Sequence, residues 1–77
     1  MGVQARRKKL EWLEEQAEKA YETMYDARFG TAGHYNDVKE FLTDAISLAR
    51  ELELDDEAER LTGRLSHIKA LYRSQFG

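Results

Sequence analysis

Arg60, Arg64 and His67 stand at i, i+4 and i+7, so a helix through them gathers two guanidiniums and an imidazole on one face. Such a trio suits an anion: each arginine offers a planar fork to two oxygens, and histidine adds a charge that switches near neutral pH. The competing use is ion pairing with carboxylates of a neighbouring helix. A second basic cluster, Arg6-Arg7-Lys8-Lys9, suits an acidic partner, but Glu11, Glu14 and Glu15 follow at once and keep the basic surface narrow. His34 and Asp37, three residues apart, supply two donors to a metal, fewer than the three or four protein ligands of zinc sites. No metal site is expected there.

Catalytic patterns are missing. The sequence holds no HExxH, EF-hand or Walker pattern, and its glycines do not form a dinucleotide fingerprint. Ser47, Ser66 and Ser74 lack a nucleophile-elbow context. Zero cysteines exclude a disulfide, a thiolate zinc site and a cysteine nucleophile. The many carboxylates fall on helix faces that water solvates, with nothing to bury one beside another for acid–base work. The expectation is a non-enzymatic protein with no catalytic residue and no cofactor.

The elements that position these groups follow from composition and spacing. Ala, Leu, Glu, Lys and Arg fill 40 of 77 positions, proline is absent, and only eight residues are β-branched. That excludes sheet folds and points to one all-α domain over residues 1–77. With 42% hydrophobic and 35% charged residues and a net charge of −3, the chain is too apolar for disorder and too mildly charged to favour nucleic acid. No apolar run approaches the roughly 20 residues that span a bilayer, and no secretory h-region follows the basic start, so no membrane partner and a cytoplasmic location are expected.

Apolar residues at Leu10, Leu13, Ala17, Ala20, Met24 and Ala27 predict a first helix over about 6–29, with Gly30 closing it. Gly30-Thr31-Ala32-Gly33 reads as a loop. Tyr35, Val38, Phe41, Leu42, Ala45, Ile46, Leu48, Ala49 and Leu52 predict a second helix over about 35–52, with a stripe wide enough to touch both neighbours. Asp55 reads as the cap of a third helix over about 55–75, whose seam is Ala58, Leu61, Leu65, Ile68 and Tyr72. Gly63 lies off that seam, where glycine costs about 1 kcal/mol against alanine unless another backbone comes close.

Short links make the helices run up, down and up, so the first and third are parallel. The charge layout agrees. The basic residues 6–9 then stand beside the acidic Asp55–Glu59, and Glu18, Glu22 and Asp26 stand near Lys69 and Arg73.

Ala27, Phe29, Gly33, Tyr35, Val38, Leu42, Ala45 and Ile46 carry a further pattern. Over residues 27–46 their spacing resembles a single tetratricopeptide-repeat hairpin, with Gly33 and Tyr35 at its turn. Asp26 departs from the small residue usual in that family, and no proline follows the second helix. The resemblance implies a scaffold that binds proteins or peptides.

Eight aromatic residues are more than three short helices easily enclose. Trp12 lies roughly 120° from the centre of the first seam at 100° per residue, and Tyr25 flanks that seam. An off-seam tryptophan is a common interface anchor, the alternative being a ring lying over Lys and Arg stems. The first helix also outruns the second, which would leave Val3, Leu10 and Leu13 partly uncovered. Leu10, Trp12, Leu13 and Tyr25 are therefore the candidate partner-binding residues, and Arg60, Arg64 and His67 the candidate anion-binding ones. The expected function is a helical protein–protein interaction module that self-associates as a homodimer. The alternative is a regulator that takes an anionic ligand or nucleic acid on its basic helix faces.

Overall fold

Apolar seams at helical spacing fold as three α-helices in the computed structural model, which describes residues 3–27 and 31–75, Val3 by its backbone alone. They are α1 (Val3–Asp26), α2 (Thr31–Glu51) and α3 (Asp55–Gln75), in the up-down-up bundle expected. Antiparallel packing shows in Arg6 of α1 reaching Glu51 of α2, and in Tyr35 at the start of α2 stacking on Tyr72 at the end of α3.

α2 is the hub. Val38, Leu42, Ala45, Ile46, Leu48 and Ala49 are all buried, because its stripe must serve two neighbours. From α1 come Leu10, Leu13, Ala17 and Met24, and from α3 Ala58, Leu61 and Ile68. Ala17, Ala45 and Ala49 are small enough to bring backbones close. No polar or charged residue is buried among the described residues. By contrast, no α1 Cα comes within 8 Å of an α3 Cα, so the outer helices meet only through long side chains. The Cα atoms accordingly span 41 × 19 × 13 Å, a flattened triangle with α2 at its apex.

The α2–α3 reversal is a Schellman motif. The Glu53 N–H donates to the Arg50 carbonyl at 3.0 Å and the Leu54 N–H to the Ala49 carbonyl at 2.8 Å. Glu53 takes φ 58°, the left-handed conformation glycine normally supplies, at a cost of about 1–2 kcal/mol. Leu54 is half-buried against the core and so completes the motif's hydrophobic contact. The Leu54 carbonyl accepts from the Ala58 N–H, which makes Asp55 the first helical residue instead of the cap. Asp55, Asp56 and Glu57 then place three carboxylates at the positive end of α3.

Other expectations change as well. α2 begins at Thr31 and not near Tyr35, so Thr31, Ala32 and Gly33 are helical and the turn that the repeat resemblance puts at Gly33 and Tyr35 is absent. A Cβ at Gly33 would meet nothing within 4 Å; this glycine tolerates the helix and does not break it. Leu10 and Leu13 are 5% and 4% exposed, not partly uncovered. The α1–α2 register brings Leu48 to Leu13, and Leu54 comes up beside Leu10. Phe29, Gly30, Phe76 and the side chain of Val3 lie outside the described residues.

Candidate functional site

Trp12 is the large apolar side chain the core does not take. It is 51% exposed, because at 100° per residue it projects nearly opposite Glu14, the α1 residue that faces α3. Its ring is not loose. It meets Phe41 of α2 edge-on, with centroids 6.0 Å apart and planes at 85°, a geometry that adds about 0.5–1.5 kcal/mol to simple burial. Phe41 itself is half-buried against the core. One helical turn along the same α1–α2 face, Lys9 and Leu13 oppose Asp44, Ser47, Leu48 and Glu51 across a groove of about 300 Å³. The outer face of α1 and α2 thus carries an anchored aromatic pair beside an open groove with charge of both signs.

The other candidate contact residues separate. Leu10 and Leu13 belong to the core and withdraw from any surface contact. Tyr25 is 42% exposed but sits elsewhere on α1, against Tyr21 at 5.1 Å and 82°. Burial and a hydrogen bond with Tyr25 push the Tyr21 hydroxyl up to about 12.

The arginines of the candidate anion site already hold carboxylates. Arg60 donates to Glu14 of α1 and, at 2.6 Å, to Glu57 of its own helix. Arg64 grips Glu18 with both prongs, Nη2 to Oε1 at 2.8 Å and Nε to Oε2 at 3.2 Å. Its guanidinium also lies 4.9 Å from the Tyr21 ring centroid. Hydrogen bonds to Glu57 and then Glu14 raise the Arg60 pKa, and the Glu18 hydrogen bonds raise that of Arg64. The pairing expected as the competing use is what the structure contains, and His67 is exposed beside it. The partners differ from those the charge blocks suggested. Glu18 pairs with Arg64, while Lys69 and Arg73 make no ion pair among the described residues.

Arg6, Arg7, Lys8 and Lys9 are all exposed, but four successive residues of a helix point about 100° apart and cannot converge on one anion. Arg6 turns to Glu51 at 3.9 Å, and Arg7 lines the α1–α3 groove with Glu57. His34 and Asp37 both lie in α2, and the described residues hold no cluster of three or more His, Cys, Asp or Glu able to bind a metal. No helix among them is long and apolar enough to cross a membrane.

Nothing in the sequence flagged the Arg60–Glu14 and Arg64–Glu18 rungs individually, although both span 46 residues. Phe41, by contrast, was legible as an apolar stripe residue but not as the support of Trp12. The chain matches no family model, no curated protein and no solved structure.

Proposed function

We propose that this protein is a small, non-enzymatic, cytoplasmic interaction module whose contact surface is the Trp12–Phe41 patch on the outer face of α1 and α2. The observation that carries the reading is the placement of Trp12. A tryptophan half in water, held by an edge-on aromatic contact, is pre-ordered and loses little side-chain entropy on binding. The charged groove beside it supplies a polar rim. The anion-binding alternative loses its main residues, because Arg60 and Arg64 would have to give up Glu14, Glu57 and Glu18 first.

Site-specific photo-crosslinking in the cells that make the protein tests this. A photoreactive residue at Lys8 or Glu15, flanking Trp12, is expected to trap a protein partner, and one at Ala70 of α3 is not. Adducts from Ala70 alone, or from none of the three positions, would remove the proposal.

A further inference from the structure

The outward face of α1 is complementary to itself. At 100° per residue, Lys8, Trp12, Glu15 and Lys19 fall within an arc of about 60°, and all four are exposed. We infer that the partner seated on the Trp12 patch is a second copy of this chain, its α1 laid antiparallel across the first with the two-fold axis at Trp12. The inference rests on the contact surface proposed above.

A two-fold axis at residue 12 sets each position 12+n against position 12−n of the other copy. Lys8 of one copy then comes within one position of Glu15 of the other, on the same side of the contact, and symmetry repeats the pair. Lys19 lies over Ala5, whose small side chain leaves room for the lysine stem. The two indoles meet at the axis, each backed by its own Phe41. A parallel arrangement in register would instead set Lys8 on Lys8 and Glu15 on Glu15. Within one chain Glu15 already touches Lys19 at 3.3 Å, but both groups are exposed, and such a pair holds only weakly. Glu15 is therefore easily shared. With α1 running from Val3, the two helices overlap from residue 3 to residue 21, about 27 Å at 1.5 Å per residue. One tryptophan and a half-covered phenylalanine per copy make a small apolar centre, so the dimer is a weak one, with Kd in the micromolar range.

Charge exchange tests the orientation. The full-length chain is studied by sedimentation and by the fluorescence of Trp12, the only tryptophan. The native chain is expected to dimerise over micromolar concentrations, with emission shifting to the red on dilution. Lys8→Glu, and separately Glu15→Lys, should each raise Kd at least tenfold, because like charges then meet twice. An equimolar mixture of the two variants should regain native affinity, since each supplies what the other lacks. A native chain that stays monomeric at high micromolar concentration overturns the inference, and so does a dimer indifferent to both variants or not restored by mixing. If a monomer nevertheless crosslinks from Lys8 or Glu15 to a different protein, the contact surface stands and only its occupant changes.

Discussion

The two seams of α2 and the groove between α1 and α3 hold this bundle together in different ways. Along the seams, backbones approach over buried alanines, and Leu42, Val38, Leu61 and Ile68 are fully enclosed without a polar atom among them. Across the groove the backbones keep apart, and Arg60 and Arg64 reach over to Glu14 and Glu18. Burying a leucine removes apolar surface worth about 1.5–3 kcal/mol, whereas an exposed ion pair contributes about 0.2–1 kcal/mol. The seams supply stability, and the groove supplies register, since only one alignment gives both arginines a carboxylate 46 residues away.

The sharpest way to break that contrast is Leu42→Ala. It should cost about 2–5 kcal/mol by urea unfolding, most of the stability a domain of this size commands. A loss below that of an ion-pair variant would invert the comparison. Gly63→Ala probes the surface outside the seam. A Cβ there meets nothing within 4 Å, so alanine should add about 1 kcal/mol through helix propensity alone. A destabilising result would mean that another group packs against Gly63.

Arg64→Met keeps the stem but not the fork, and should cost under about 1 kcal/mol at low salt. Combined with Glu18→Gln in a double-mutant cycle, the coupling should shrink as salt rises; coupling that salt leaves unchanged would place the pair with the seams. The smallest expected effect is alkaline. Tyr21, held protonated up to about 12, keeps its proton longer in the folded chain than in the unfolded one, whose tyrosines titrate near 10. Its contribution is complete below pH 10 and fades as pH climbs toward 12. Absorbance at 295 nm should show a late phase from Tyr21, which Tyr25→Phe brings down by removing the hydrogen bond; a titration unchanged by that substitution would leave burial as the whole cause.

What the sequence revealed follows the same division. Helical periodicity marks apolar seams directly, so all three helices, the α3 bounds and the exposed direction of Trp12 were legible. Register is not periodic. It depends on how residues of two helices interleave, so the cover over Leu10 and Leu13 does not follow from helix lengths, and charge blocks alone pair Glu18 with Lys69 and Arg73 instead of Arg64. The start of α2 differs from its expected position for a local reason. Gly33 looks like a loop residue, yet with solvent around it a glycine in a first helical turn costs little, and the turn forms regardless.

Glu53 carries a consequence for the order of folding. From His34 to Thr62 the chain has no glycine and no proline, and Leu52-Glu53-Leu54 prefers right-handed helix to the left-handed turn it adopts. Local preference thus runs against the reversal, and the gain that offsets it is the docking of Leu54 and α3 onto α2. The α2–α3 corner should close late, after the α1–α2 pair has offered it a surface. A peptide of residues 31–75 cut away from α1 would be freer to straighten into one long helix than to keep its bend.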